Sequence, residues 1–139
     1  MNPLTDDLEH VLADTPLYVQ TGISLEGAEP GLVALSFNPG PVHRNIQGLV
    51  HGGMLALLAD TAMGLAVRTE LPPGRPHVTV QLGIRYLRPV TSEQGSLIAN
   101  GRTTKVGRTL AFATAEISLA DGALIATADA TISVAEPWA

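Results

Sequence analysis

Asn45, the run His51-Gly52-Gly53 and Asp60 are the residues of this chain whose types and spacing could do chemistry together. Asp60 stands in the segment GGMLALLADTAMGLAVR, residues 52–68, where Asp60, Thr61 and Arg68 are the only polar side chains. A carboxylate on so apolar a helix is costly to bury. Desolvation would push its pKa upward and make it a better proton acceptor. The acid either serves in that way or meets a buried cation, with Arg85 and Arg88 as candidates. Gly52 and Gly53 stand where this helix begins. Glycine disfavours a helix by roughly 1 kcal/mol relative to alanine, so a pair of them fits close approach by a ligand or by backbone. The unpaired N–H groups of that first turn, backed by the helix dipole, can donate to an oxyanion; simple capping by flexible residues is the plainer reading. Gly52 and Asp60 lie about 12 Å apart along the axis at about 1.5 Å per residue. If both act on one carbonyl, they come from different subunits, with two such helices antiparallel across a twofold axis.

The elements that must hold these residues follow from periodicity. Leu4, Leu8, Val11 and Leu12 recur at helical spacing after the acidic start Thr5-Asp6-Asp7, which predicts a short amphipathic helix over residues 4–13 ended by Thr15-Pro16. A strand pair is expected at 18–26 and 31–38, turning at residues 27–31. The loop NPGPVHRNIQGLV follows, long for so small a domain, and it carries Asn45. Residues 52–68 form a helix apolar on nearly every side, stopped by Leu71-Pro72-Pro73-Gly74. Strict alternation then predicts a strand with Val78, Val80, Leu82, Ile84 and Tyr86 on one face and Thr79, Gln81, Gly83 and Arg85 on the other. Further strands are expected at 96–106, 108–119 and 123–134, the last two joined by the hairpin signal Asp121-Gly122. Ala111, Ala113, Ala115 and Ala126, Ala128, Ala130 form rows that leave room for a helix to lie close. The fold class is α+β: a curved antiparallel sheet wrapped around one central helix.

Composition narrows the function. The chain has 139 residues, 45% hydrophobic and 15% charged, which suits a single domain over 1–139 with a real core and excludes a disordered chain. A net charge of −5 with only eight Lys and Arg argues against nucleic acid. No run approaches the roughly 18 apolar residues of a membrane span, and the acidic first twenty residues do not resemble a signal peptide, so a cytoplasmic protein is expected. With no cysteine there is no disulfide framework or thiolate site, and His43, His51 and His77 lack metal-ligand spacing, so no metal is expected. The nucleophile elbow, the P-loop and the dinucleotide fingerprint are all missing from the sequence.

The pattern Asn45-x5-His51-Gly52-Gly53-x6-Asp60-x3-Gly64, with YLRPV at 86–90 and the turn Gly107-Arg108, resembles the hotdog-fold thioesterases, most nearly the PaaI-like acyl-CoA thioesterases of the phenylacetate pathway. The resemblance spans roughly residues 15–135. It implies a sheet rolled around a long helix, homodimers with two interfacial sites, and often a pairing of dimers into a homotetramer. It implies Asp60 as general base or nucleophile and the N–H of Gly52 or Gly53 as the group polarising the thioester carbonyl. It further implies Asn45 and His51 orienting substrate or water on the opposite subunit, and Thr79 helping to hold the water. No cofactor is implied, because coenzyme A is part of the substrate. Its phosphates call for cations, for which Arg88, Arg102, Lys105 and Arg108 are candidates, each equally readable as a solvated charge.

Thioester hydrolysis suits such a site, since charge builds on the carbonyl oxygen and the thiolate leaves without a strong acid. Two other readings remain open at this point: a hotdog hydratase or dehydratase on acyl-CoA or acyl-carrier substrates, and a non-catalytic acyl-CoA binding module. Asp60 speaks against the second, because a sensor needs no buried base. Ile46, Leu57, Leu58 and Met63 could line a pocket for an aliphatic or an aryl acyl group.

Overall fold

Two helices in tandem open the chain, α1 (Pro3–Asp14) and α2 (Pro16–Thr21). The computed structural model describes residues 2–135; residue 1 and residues 136–139, the two ends of the expected 1–139 domain, lie outside the described residues. Asn2 caps α1 by accepting from the Leu4 amide, and Leu8 and Leu12 are buried. Thr15-Pro16 ends α1, as the sequence reading expected, with Thr15 as its C-cap, but a second helix that the reading did not expect starts at once. Proline occupies the first position of α2, where its missing N–H costs nothing, and α2 stops at Gly22 in the left-handed conformation (φ 82°). The first strand therefore begins at Ile23 rather than near residue 18.

The strands are β1 (Ile23–Glu29), β2 (Leu32–Phe37), β3 (Val78–Tyr86), β4 (Leu97–Val106), β5 (Leu110–Leu119) and β6 (Leu124–Ser133), with helix α3 (Gly52–Arg68) between β2 and β3. They form one six-stranded sheet in the order β1-β2-β4-β5-β6-β3, and every pairing is antiparallel. β3, which leaves α3, crosses to the far edge and pairs only with β6.

The sheet curves over α3 because its inner face is nearly free of bulk along the helix. Ala99, Ala111, Ala113, Ala115, Ala126, Ala128 and Ala130 are all buried there, as the alanine rows predicted. Gly101 takes this to its limit: a Cβ built on it would lie 2.3 Å from the Ala62 carbonyl oxygen, inside van der Waals contact with helix backbone. Helix and strand touch main chain to main chain at this point. On the helix side Leu58, Ala59, Ala62, Met63, Ala66 and Val67 are fully enclosed. Leu58 and Met63 are therefore core residues and line no substrate pocket, contrary to expectation. Nor is α3 covered all round. Gly53, Leu57, Asp60, Gly64 and Arg68, at helical spacing, form a stripe that is not fully buried, and no atom lies within 4 Å of a Cβ built at Gly64.

Alternation in β3 also departs from the sequence reading. Thr79 pairs with Ile132 and Gln81 with Thr131, so Val80 bulges out of register. The bulge puts Thr79 on the same inward face as Leu82 and Ile84, opposite the buried Ile132, Ala130 and Ala128 of β6. Val78 and Val80, expected on that face, are exposed.

Gly101→Ala should destabilise the fold by about 1–3 kcal/mol, because a Cβ 2.3 Å from the Ala62 carbonyl oxygen forces packed helix backbone to move well beyond a few tenths of an ångström. A urea denaturation midpoint compared with that of the wild type checks this.

Candidate active site

Asp60 sits at mid-helix on the half-open stripe of α3, and its partner is Thr79, whose hydroxyl donates to Asp60 Oδ1 at 2.7 Å. The Val80 bulge is what turns Thr79 toward the helix. Among the described residues no cation pairs with Asp60, so neither Arg85 nor Arg88 neutralises it. One carboxylate oxygen is held by a hydroxyl and the other is left to accept from something else.

The helix start is arranged residue by residue. His51 is the N-cap, and its Nδ1 accepts the Gly53 amide at 2.8 Å. The imidazole proton of the neutral ring is thereby placed on Nε2, as a donor facing outward. The Met54 amide donates to the His51 carbonyl at 2.9 Å. Of the first-turn amides, Gly52 N–H alone has no hydrogen-bond partner among the described residues. Sequence spacing left Gly52 and Gly53 equivalent as donors; the cap engages Gly53 and leaves Gly52. Tyr86 closes over the same point. Its hydroxyl donates to the Gly52 carbonyl at 2.8 Å, and a Cβ on Gly52 would lie 3.1 Å from the phenol.

The loop before the helix is held by its own polar groups. Asn45 Oδ1 accepts the amides of Gln47 (2.9 Å) and Leu49 (3.0 Å), and the Asn45 amide donates to the Leu49 carbonyl at 2.7 Å. Only the side-chain NH2 of Asn45 is left to meet a ligand. His43 organises the loop rather than any metal: its Nδ1 accepts the Gly40 amide, its ring packs edge-on to Phe37, and its carbonyl accepts the His51 amide at 2.8 Å. Arg44 ties the loop to the turn at 92–94 through Ser92 and an ion pair with Glu93 at 2.7 Å. His77 is far along the chain at the start of β3, half-buried, and burial holds its imidazole below the usual histidine range. Among the described residues no three His, Asp or Glu side chains converge as metal ligands do. Asn45, Gly52 and Tyr86 share the wall of an apolar cleft of about 310 Å³ with Leu49, Val50, Leu55, Leu87, Arg88, Pro89 and Val90. A larger hollow of about 710 Å³ lies between the early strands and α1, away from Asp60 and Gly52.

Comparison with known proteins decides what this arrangement belongs to. The thioesterase superfamily profile matches residues 47–126, which include the helix start, Asp60, Thr79 and Tyr86. The chain belongs to the thioesterase superfamily. It is 41% identical over 118 residues to "Putative esterase VNG_1336C" of Halobacterium salinarum, covering 79% of this chain and 73% of that one. Human acyl-coenzyme A thioesterase 13 is 34% identical over 106 residues, covering 75% and 74%. Among solved structures, a phenylacetic acid degradation-related protein of Ralstonia eutropha JMP134 superposes with a TM-score of 0.80 at 27% identity, over 90% of this chain and 97% of that one. This thioesterase is a thioester hydrolase with the hotdog fold. No helix among its described residues is long and apolar enough to cross a membrane.

The cations anticipated for coenzyme A do not gather in one protomer. Arg88 follows β3 and borders the cleft beside Gly52. Arg102 and Lys105 are exposed on β4, three strands away from β3, with Arg102 in the hollow remote from the site. Arg108 lies in the β4–β5 turn, next to the end of the sheet where Val78, Ser133 and Leu110 pair. Ile46 projects from the loop fully exposed, and Leu57 lies on the open stripe of α3. Tyr86 is the site residue to which the sequence reading gave no role. The signal for it was the glycine at 52, whose missing side chain has to make room for something.

Thr79→Val keeps the shape at Asp60 and removes the donor. It should lower kcat about tenfold with little change in melting temperature, whereas Thr79→Ser should retain most of the activity, since the hydroxyl is what bonds Asp60. Steady-state hydrolysis of a set of acyl-CoA substrates reads both.

Proposed function

We propose that this thioesterase hydrolyses acyl-CoA, with aryl or short-to-medium acyl groups, at two sites formed between the subunits of a homodimer. The observation that carries the reading is the division of labour along α3: a hydroxyl-held carboxylate at Asp60 and an unpartnered amide at Gly52, about 12 Å apart on one rod. Neither can reach the other's reacting atom within one protomer. A second copy supplies what is missing.

The edge strand supports that pairing. β3 offers its outer edge to a like strand, and the open stripe of α3, small at Gly53 and Gly64, offers a surface for a second helix. Antiparallel pairing of two β3 strands near Leu82 sets the Thr79 end of one beside the Arg85–Tyr86 end of the other. Thr79 carries Asp60 and Tyr86 carries Gly52, so each carboxylate meets the other subunit's amide. The same arrangement draws Arg88 of one subunit toward Arg108 of the other, a mouth suited to the phosphates of coenzyme A, while Arg102 stays outside it. Dimers pairing into a homotetramer, and a cytoplasmic setting where CoA esters are made, belong to the same proposal.

In this site the acyl group occupies the apolar cleft beside Gly52, whose 310 Å³ suits a ring or a chain of modest length. Asp60, oriented by Thr79, takes a proton from water. The resulting hydroxide attacks the thioester carbon, and the carbonyl oxygen becomes an oxyanion on the Gly52 N–H. The Asn45 side-chain NH2 and His51 Nε2–H are further donors at the same mouth. Collapse of the tetrahedral species breaks the carbon–sulfur bond and releases the thiolate of coenzyme A and the free acid. Water is the only co-reactant.

Asp60→Asn should lower kcat by at least about 10² without loss of folding or substrate binding, because it removes the base and little volume. Thiol release over aryl and short-, medium- and long-chain acyl-CoAs measures this, and near-normal turnover rejects the role. Mixed dimers of Asp60→Asn subunits with Gly52→Pro subunits, the latter lacking the amide, should recover up to about half the wild-type activity per dimer, because one of the two sites is then intact. Confirmed mixed dimers that stay inactive count against a shared site.

A further inference from the structure

We infer that Tyr86 is a positioning residue for the carbonyl-polarising amide, acting through the peptide on the far side of Gly52; the inference rests on the Gly52 role proposed above. Three observations converge on it. The Tyr86 hydroxyl donates to the Gly52 carbonyl at 2.8 Å, so it grips the first residue of α3 directly. The phenol lies 3.1 Å from where a Cβ of Gly52 would be, so position 52 is glycine because this ring occupies the space. Finally, β3 holds Tyr86 at its last residue and Thr79 near its first, and each donates one side-chain hydrogen bond to α3, at Gly52 and at Asp60.

Why the first turn needs such a grip follows from its composition. Gly52 and Gly53 are the two least constrained residues a helix start can have, and a flexible donor is a poor oxyanion hole. His51 fixes the turn from one side by accepting from Gly53. That contact holds the peptide plane joining Gly52 to Gly53 at its N–H end only, and one hydrogen bond leaves the plane free to pivot about it. The Tyr86 hydroxyl holds the same peptide plane at its carbonyl end, so the plane can no longer pivot and the Gly52 Cα is kept in place. The Gly52 N–H, one glycine φ away, lies in the preceding peptide, whose His51 carbonyl accepts the Met54 amide. The Tyr86 hydrogen bond is to the main chain, so the effect is on the transition state, where the amide must meet a developing charge, more than on ground-state binding. Tyr86 is half exposed and its ring also borders the cleft, so removing the hydroxyl alone separates the two contributions.

Tyr86→Phe is therefore the test, with Asp60→Asn assayed beside it. The phenylalanine variant should lose about tenfold in kcat, hold KM within twofold, and melt within a degree or two of the wild type. A kcat within twofold of the wild type overturns the inference. So does a rise in KM that accounts for the whole loss, which would make the hydroxyl a substrate contact, and so does a drop in melting temperature that parallels the drop in kcat, which would make it structural. If Asp60→Asn has lost its activity while Tyr86→Phe has not, only the positioning role falls; if Asp60→Asn remains active, the underlying site reading falls and this inference with it.

Discussion

Everything in this molecule depends on how closely α3 lies against the sheet. The Ala62 carbonyl stands where a side chain of Gly101 would be, and the inward positions of β5 and β6 along the helix are alanine. A helix that close can be reached by short side chains from the strands. Thr79, with only one carbon between backbone and hydroxyl-bearing branch, spans the gap to Asp60 at 2.7 Å. On a sheet lined with leucine the helix would stand farther off and no threonine would reach it. Close packing is thus the condition for the polar contact, and the apolar composition of 52–68 is the condition for the packing.

The polar groups of the site are held in unequal ways, and the inequality has chemical sense. Groups that must stay put have their bonding used up locally: Asn45 Oδ1 in its own loop, His51 Nδ1 on Gly53, the His43 carbonyl on the His51 amide. What each leaves over is a donor, namely the Asn45 NH2, His51 Nε2–H and the Gly52 N–H. A cluster of donors with a single carboxylate at the far end of the rod suits a reaction in which an oxygen gains negative charge and water loses a proton. Thioesterase superfamily membership and this donor-rich mouth agree, and they do so from independent observations.

Much of the scaffold could be read from the residues. The helix over 52–68 was plain because Ala, Leu and Met fill it and a proline pair follows, and the alanine rows of β5 and β6 marked the face it covers. The spacing from Gly52 to Asp60 also carries the proposal of a second copy, on the condition that both act on one carbonyl. What could not be read was anything that depends on one residue of slip. The bulge at Val80 reverses the parity of β3 ahead of it, so plain alternation put Thr79 on the wrong face, although resemblance to a family had given it a role. Proline at residue 16 is a stop for α1 and at the same time a start for α2, and only the first role is legible in the sequence. Leu58 and Met63 looked like pocket residues because nothing in composition tells the sheet side of an apolar helix from the open side. The choice between Gly52 and Gly53 needed the cap geometry of His51.

One physical tension remains in this architecture, and it is the reason for proposing a site at a boundary between subunits. A carboxylate that is to accept a proton needs a partly dry environment, yet α3 is buried on its sheet side by close-packed alanine and leucine with no room for substrate. The only side of the helix where an acid and a ligand can coexist is the stripe the sheet leaves open, and on an isolated protomer that stripe is wet. Covering it with a second α3, as in the dimer proposed above, would dry the acid and keep a channel, because Gly53 and Gly64 leave space on that face. In the proposed dimer the covering molecule would bring its own Gly52 amide from the opposite direction, since a twofold axis would run the two helices antiparallel. On that proposal, assembly and catalysis would both follow from one uncovered face: the surface that would otherwise be a liability of the fold would be where the donor, the base and the dry pocket come together.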